Sequence, residues 1–265
     1  MNHLLRGHAP ISDDSWKLID AEARERLVPG LAARRLVDFA GPLGWEHSAT
    51  NLGRVEDVTA GSDRLQAQRR RVLPLVELRA PFEVSLEELR AGDRGAEDVD
   101  FDDLDVAARQ LASAENAAVF AGWSEAGIEG IAGECPHPPI ARGDEIDRYP
   151  SRVAAAVELL LRSGVGGPYG LALSGDDYTH VVETAEHGGY PLFQHLRQIL
   201  EGPLVWTPGI EGAVVVSLRG GDFLFESGQD VAVGYASHDA DAVRLYLEES
   251  FSFRVATPEA AVVIR

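Results

Sequence analysis

Residues 219–255 read RGGDFLFESGQDVAVGYASHDADAVRLYLEESFSFRV, and their pattern is the most informative in the chain. Apolar residues alternate with small or polar ones on both sides of a polar loop at 236–241. The alternating residues are Val231, Val233 and Tyr235 before the loop, and after it Val243, Leu245 and Leu247, interleaved with Arg244, Tyr246 and Glu248. A period of two predicts two half-buried β-strands, and the stretch offers no constellation of catalytic side chains.

Upstream of this stretch, helices and strands follow one another in an uneven order. A buried strand is predicted at 169–173, short helices at 175–186 and 191–200, and further core strands at 205–206 and 213–218. An uneven order argues against a doubly wound parallel sheet, in which strands and helices alternate regularly. The pattern therefore predicts an α+β fold.

Two longer helices are predicted nearer the N-terminus. In the first, which begins at Asp13 with Ser12 or Asp13 as its N-cap, apolar residues recur at helical spacing until Pro29-Gly30 interrupts it. The second covers residues 104–123 and begins among aspartates, which are stabilised by the positive end of the helix dipole.

A short, acidic helix is predicted between these two. Ser85 and Glu88 have the order of a capping box, in which each side chain binds the other residue's backbone amide, and Arg94-Gly95 ends the helix. Nine acidic residues lie within 87–105. They are expected to form a solvated surface, and the alternative is a field that attracts cations.

Residues 53–78 have the pattern of a long two-stranded hairpin with a turn at 61–63. Isolated two-stranded ribbons are only marginally stable in water, so this ribbon is predicted to pack against another chain. It carries three consecutive arginines, Arg69 to Arg71. They could bind a phosphate, but acidic groups on a neighbouring segment or subunit are the expected partners.

The composition argues against several classes of function. The 265-residue chain is 45% hydrophobic and carries 24 basic against 43 acidic side chains, for a formal net charge of −19. Phosphate binding needs a concentrated positive surface, so nucleic acid is not an expected partner. Neither an apolar run long enough to span a membrane nor an export signal is visible, so no membrane partner and a cytoplasmic location are expected.

Patterns for catalysis and metal binding are weak. Ser174 lacks the glycine two positions earlier that a nucleophile elbow requires, and the glycine-rich residues 164–168 precede a strand instead of a phosphate-binding helix. The eight histidines form no helical metal-binding pair, and Cys135 with His137 supplies at most half of a zinc site. No catalytic residue, metal site or cofactor is predicted.

Several segments resemble, in order along the whole chain, the encapsulins, a family also called linocin-like bacteriocin proteins. Besides 219–255, these segments are LLRGHAPISDDSWKLIDAEA (4–23), GPLGWE (41–46), PLVELR (74–79), GIEG (127–130), GGPY (166–169) and EHGGYP (186–191). The resemblance implies the HK97 phage-capsid-like fold, with an N-terminal helical arm, an extended hairpin loop, a peripheral domain and an axial domain.

The resemblance also implies domain boundaries. Residues 1–47 would form the arm and the start of the peripheral domain, and 48–78 the extended loop. Residues 79–135 would form the peripheral domain with its long helix, 136–224 the axial domain, and 225–265 the return strands of the peripheral domain.

The function implied by the resemblance is that of a shell subunit. About sixty copies would self-assemble into an icosahedral compartment around a cargo enzyme, such as a dye-decolourising peroxidase or a ferritin-like protein. The cargo would serve oxidative stress defence or iron storage and would be recruited by its C-terminal targeting peptide. The peptide would bind an apolar groove between the arm and the peripheral domain, at positions matching Leu27, Leu31, Arg34, Asp38, Asp230, Val231 and Val233.

Two details of that groove follow from the residue types. Arg34 and Asp38 would fix the polar backbone or the charges of the peptide, and the aliphatic side chains would hold its apolar anchors. The alternative for the aliphatic residues is ordinary packing of the arm on the domain.

Two further sites are implied by position. A loop around the fivefold axis would line a pore, with Glu186 and His187 meeting permeating ions; it comprises Glu186, His187, Gly188, Gly189 and Tyr190. The alternative is a flexible surface loop. Some encapsulins bind a flavin through a tryptophan, but Glu87 occupies the matching position here, so no flavin is assigned.

Two other interpretations compete with the shell subunit. A phage or prophage capsid protein would use the same fold to package a genome, but the acidic charge balance and the N-terminal arm argue against it. An enzyme, either a protease or bacteriocin-like enzyme or a peroxidase, would show turnover in purified, cargo-free protein.

Overall fold

The computed structural model describes residues 3–61, 64–143, 148–185 and 189–265. The α-helices in this part of the chain are α1 (Asp13–Gly30), α2 (Leu86–Asp93), α3 (Asp102–Phe120), α4 (Ile131–Glu134), α5 (Tyr149–Arg162), α6 (Gly175–Glu183) and α7 (Leu192–Leu200). The strands are β1 (Asp38–Ala40), β2 (Ala49–Val58), β3 (Ala67–Pro74), β4 (Val76–Ser85), β5 (Tyr169–Leu173), β6 (Leu204–Trp206), β7 (Ala213–Ser217), β8 (Phe223–Ser227), β9 (Ala232–His238), β10 (Ala242–Val255) and β11 (Ala261–Ile264).

The large sheet is organised around β10, the longest strand described. One edge of β10 pairs antiparallel with β4 over residues 242–251, and the other edge pairs antiparallel with β9 and then with β8. β1 adds to β8 in parallel. The predicted strands of the 219–255 stretch are therefore confirmed, and β8 and β9 lie end to end along the same side of β10.

The prediction that β10 is half-buried was wrong for Tyr246 and Glu248, which are both buried. Val243, Leu245 and Leu247 enter the core beneath α1 and α3, as the alternation indicates. On the opposite face, the Arg79 guanidinium lies 4.8 Å from the centre of the Tyr246 ring and forms an ion pair with Glu248. Because the Arg79 guanidinium pairs with the Glu248 carboxylate, this second face of β10 can also be buried.

Helices α1 and α3 cross beneath the large sheet. The Ser12 hydroxyl accepts the amide of Ser15, which confirms Ser12 as the N-cap of α1, and the helix ends at Gly30, one residue after Pro29. The crossing is close, because a Cβ atom added at Gly30 would lie 2.9 Å from the Ala112 Cβ. Glycine is therefore required there by packing.

Ser85 caps α2, but the predicted capping box between Ser85 and Glu88 is not formed. The Ser85 hydroxyl accepts the amide of Glu87 and caps the helix. The Glu88 carboxylate does not return the bond to Ser85; it accepts the amide of Asp100 instead. It thus fixes the loop that leads into α3.

The smaller sheet has the order β11-β7-β5-β6 and is covered by α5, α6 and α7. The strand predicted at 169–173 is confirmed as β5, and each of its residues is buried. β11 pairs antiparallel with β7, so residues 261–264 belong to this sheet and not to the large sheet that holds the rest of the predicted 225–265 segment.

The predicted hairpin is present as a two-stranded ribbon of β2 and β3, with a register shift between Asn51 and Arg54. Residues 76–78, which the sequence assigned to the ribbon, begin β4 instead. Ser62 and Asp63 of the predicted turn lie outside the described residues. Most ribbon side chains are exposed, and Arg69 forms an ion pair with Glu56 on the adjacent strand.

Within the described ranges, no helix is both long enough and apolar enough to cross a membrane.

Candidate functional site

A groove with a volume of about 570 Å³ runs between α1 and the start of β9. Its apolar lining comes from both sides. The lining includes Ala23, Leu27, Val28 and Leu31 from the arm, and Val231, Ala232, Val233 and Leu247 from the sheet. Ala23 and Leu27 lie four residues apart and share one helix face, and Leu31 continues that spacing directly after α1 ends, with its amide bonded to the carbonyl of Leu27.

Charged groups surround this apolar lining. Arg6 donates to Asp20 at 2.7 Å, and its guanidinium lies 4.0 Å from the centre of the Trp16 ring. Arg24 lines the groove and is exposed. Arg34 and Asp230 complete the lining at the other end. The groove therefore combines an aliphatic floor with side chains of both signs, as in sites that bind an amphipathic segment.

Arg34 contacts three carboxylates. It donates from Nε to Glu115 Oε2 at 2.8 Å, from Nη2 to Glu249 Oε2 at 2.7 Å and from Nη1 to Asp230 Oδ1 at 2.6 Å. Its guanidinium also lies 5.0 Å from the centre of the Phe39 ring. Only 14% of the Arg34 side chain is exposed. The guanidinium thus joins the arm, α3, β10 and the turn before β9.

Burial and charge act in opposite directions on this cluster. Burial alone would lower the pKa of Arg34, but Glu115 and Glu249 outweigh it and hold that pKa above its ordinary value. The pKa of Glu249 is raised well above its ordinary value, first by burial and then by the neighbouring Glu115, against the opposing effect of Arg34. A carboxyl group that is buried beside a second carboxyl group favours its protonated form.

Asn116 fixes the bend of the chain that follows α1. Its Oδ1 accepts the amides of Ala32 and Ala33 at 3.1 and 2.9 Å, and its Nδ2 donates to the carbonyls of Gly30 and Pro208 at 2.8 and 2.9 Å. Three of these bonds satisfy backbone groups at the end of α1, and the fourth connects Asn116 to the loop that holds Pro208. They also set the position of Leu31 and Arg34 at the groove.

The structure brings six of the seven predicted groove residues together and leaves Asp38 out. Those that line the groove are Leu27, Leu31, Arg34, Asp230, Val231 and Val233. Asp38 lies in β1, where its carboxylate accepts the amide of Gly221 at 2.7 Å. We therefore leave Asp38 out of the site. Arg34 also differs from expectation, because its donors already bind protein carboxylates.

The predicted pore loop lies only partly within the described residues. Glu186, His187 and Gly188 are outside them. Gly189 adopts a positive φ of 82°, and Tyr190 is exposed, with its hydroxyl accepting a hydrogen bond from Gln198 at 3.0 Å.

Glu87, which the resemblance matched to a flavin-binding tryptophan of some encapsulins, forms local ion pairs. It contacts Arg94 at 2.9 Å and Arg90 at 3.8 Å. Hydrogen bonding and charge from Arg94 lower the pKa of Glu87. Across the described part of the chain, no group of three or more His, Cys, Asp or Glu side chains is arranged to hold a metal ion.

Three residues that support the groove from below, Glu115, Asn116 and Glu249, were not predicted from the sequence. Signals for them were available. Glu115 and Asn116 stand four residues after Leu111 and Ala112, on the apolar face of α3, where a polar residue must find a partner. Glu249 continues the alternation of Val243, Leu245 and Leu247, and it therefore shares their face of β10.

Known proteins match the chain over its full length. A family model described as "Encapsulating protein for peroxidase" matches residues 1–252. The chain is 45% identical to a type 1 encapsulin shell protein of Rhodospirillum rubrum, over 100% of this chain and 97% of the relative. It is 41% identical to one of Mycobacterium tuberculosis, over 100% of this chain and 99% of the relative.

Solved structures match at the level of the fold. A virus-like particle from Pyrococcus furiosus aligns with a TM-score of 0.59 at 20% identity, over 92% of this chain and 98% of that one. The capsid of an empty GTA particle aligns with a TM-score of 0.53 at 13% identity, over 89% of each chain. The expected α+β class and phage-capsid-like fold are thereby confirmed.

Proposed function

The chain belongs to the encapsulin family of shell proteins, and we propose that it is the subunit of a closed icosahedral compartment that captures a cargo enzyme in the groove between α1 and β9. The compartment would lie in the cytoplasm. It would contain about sixty copies, because identical contacts repeated around icosahedral axes close a shell. The role is structural, and any chemistry belongs to the cargo.

The exposed ribbon of β2 and β3 is the observation that supports assembly into a shell. Two strands cannot bury a core by themselves, and Val55, Val58 and Val72 are exposed on this ribbon. Exposed apolar side chains on an extended element are typical of a surface that another chain covers. We infer that the ribbon lies on a neighbouring subunit, with Arg69 to Arg71 close to acidic groups of either chain.

The groove is the observation that supports cargo capture. It has an apolar floor and charged sides, it lies between the arm and the large sheet, and it contains six residues that the resemblance to encapsulins implied. The family description names a peroxidase as the enclosed protein. We infer that aliphatic residues of a cargo's C-terminal peptide occupy the floor. The net charge of −19 argues against nucleic acid as the enclosed material.

A matched pair of valines tests cargo capture. Val28 and Val106 are both exposed residues on helices, but only Val28 lines the groove. The shell protein is co-expressed with a fluorescent protein that carries the C-terminal tail of a dye-decolourising peroxidase from the source organism. We expect Val28→Glu to give shells without fluorescent cargo, and Val106→Glu to give loaded shells.

Equal loading of the two variants would contradict the groove assignment, and failure of the unmodified shell to load would contradict a peroxidase as the cargo class. The same assay with the tail of a ferritin-like protein then tests the second cargo class.

A further inference from the structure

Two buried carboxyl groups lie directly beneath one wall of the groove. Glu115 on α3 and Glu249 on β10 both direct Oε2 to the same nitrogen, Nη2 of Arg34, at 2.6 and 2.7 Å. Their side chains are 0% and 1% exposed. The second oxygen of each, Oε1, has no hydrogen-bond partner among the described residues. Two carboxylates this close in a dry site cannot both be ionised cheaply.

The charge balance of the cluster requires a proton. If Glu115, Glu249 and Asp230 are all ionised, three negative charges face the single positive charge of Arg34. These four are the charged groups of the cluster: Arg34 comes from the turn after α1, Glu115 from α3, Glu249 from β10 and Asp230 from the turn before β9. One proton shared between the two glutamates removes one of the excess charges.

Asp230 connects this cluster to the groove wall. Its Oδ1 accepts Arg34 Nη1 at 2.6 Å and also the backbone amide of Val231 at 2.8 Å. Val231 and Val233 form the sheet side of the groove. Asp230 is the member that water can solvate, because 44% of its side chain is exposed. When negative charge in the cluster increases, Asp230 is therefore the carboxylate that leaves Arg34.

We propose that Glu115 and Glu249 share one proton, and that the loss of this proton to solvent as the pH rises releases Asp230 from Arg34 and weakens peptide binding in the groove. The cluster would thus make cargo retention depend on pH. This inference rests on the proposed function of the groove. The raised pKa of Glu249 agrees in direction with a protonated pair.

The experiment follows cargo that is already inside the shell. Shells are loaded sparsely with the fluorescent protein that carries the peroxidase tail, and fluorescence anisotropy is measured from mildly acidic to alkaline pH. Cargo that is bound to the wall rotates slowly, and released cargo tumbles in the lumen. We expect the anisotropy of the unmodified shell to fall reversibly as the pH rises, with affinity falling about tenfold per pH unit beyond the midpoint because one proton is linked.

The variant Glu249→Gln removes the titrating pair and keeps the shape of the side chain. We expect its cargo to stay immobile across the same pH range, and Glu211→Gln, at an exposed position outside the groove, to behave as the unmodified shell does. A parallel fall in the unmodified and Glu249→Gln shells, or no fall in either, would overturn the proposal. Cargo that tumbles freely at every pH would instead refute peptide capture itself.

Infrared spectroscopy of empty shells tests the shared proton without any cargo. The unmodified shell should show the carbonyl band of a buried protonated carboxyl group, and this band should disappear as the pH rises. If Glu249→Gln does not assemble, Glu115→Gln serves in its place. Absence of the band from the unmodified shell at mildly acidic pH would overturn the shared proton.

Discussion

Arg34 and Asp230 are 196 positions apart in the sequence, yet Arg34 Nη1 donates to Asp230 Oδ1 at 2.6 Å. This bond joins the two walls of the groove, because Arg34 follows the helix of the arm and Asp230 precedes β9. The groove is therefore an assembled feature of the tertiary fold. Its walls depend on buried polar contacts as well as on its aliphatic lining.

Replacement of Arg34 is expected to be costly. Arg34→Ala leaves Glu115 and Glu249 buried without a positive partner, and breaking a buried pair in this way costs about 3–5 kcal/mol. Arg24→Ala, at an exposed position in the same groove, should change stability by no more than about 0.5 kcal/mol. Thermal unfolding of the two variants measures the difference. Equal melting temperatures would show that Arg34 does not hold the cluster together.

Replacement of Asn116 is expected to destabilise the chain that follows α1. Asn116→Ala leaves the buried amide of Ala33 without its acceptor, at about 1–3 kcal/mol, whereas the amide of Ala32 keeps its bond to the carbonyl of Gly30. Limited proteolysis should then cut the chain near residues 30–34, and the variant should unfold at a lower temperature. The exposed Gln110 on the same helix provides the control, as Gln110→Ala. Protection of the arm equal to that of the control would contradict this role.

The helix crossing at Gly30 gives a prediction about packing. Gly30→Ala places a Cβ atom 2.9 Å from the Ala112 Cβ, and such overpacking costs about 1–3 kcal/mol. Gly133→Ala in α4 meets no atom within 4 Å and should be neutral or stabilising, by up to about 1 kcal/mol, because alanine favours helices. Denaturant unfolding compares the two. A Gly30→Ala variant as stable as the unmodified chain would mean that α1 can move away from α3.

The ribbon should be needed for assembly and not for the fold of the subunit. Val55 and Val72 are exposed on the ribbon and contribute to neither hydrophobic core. We expect the double variant Val55→Asp, Val72→Asp to keep its circular dichroism spectrum and to sediment as a small species. Normal shells from this variant would contradict a contact between the ribbon and a neighbouring subunit.

The sequence predicted those parts of the fold that local periodicity determines. The helical spacing before Pro29, the buried strand at Tyr169–Leu173 and the alternation in β10 each gave the right element. Burial of Tyr246 and Glu248 was not predictable in the same way, because it depends on Arg79 from β4. An alternating strand shows which residues share a face, but not whether a second layer covers the other face.

The site was predictable only in part, for a related reason. The resemblance to encapsulins indicated Leu27, Leu31 and Val233, which line the groove in the structure. The network beneath the groove joins residues 81 to 215 positions apart, such as Arg34 with Glu115 and with Glu249. No periodicity in the sequence connects such residues. Asp38, which the resemblance also indicated, does not line the groove, because its place in β1 directs its carboxylate to the amide of Gly221.

Electron microscopy of the protein purified after expression alone tests whether this chain builds a closed shell. A shell subunit should give uniform, hollow, closed particles of one diameter with icosahedral symmetry, in the absence of cargo. A monomer or small oligomer that persists across a range of salt concentration and pH would show that the chain does not build a shell by itself.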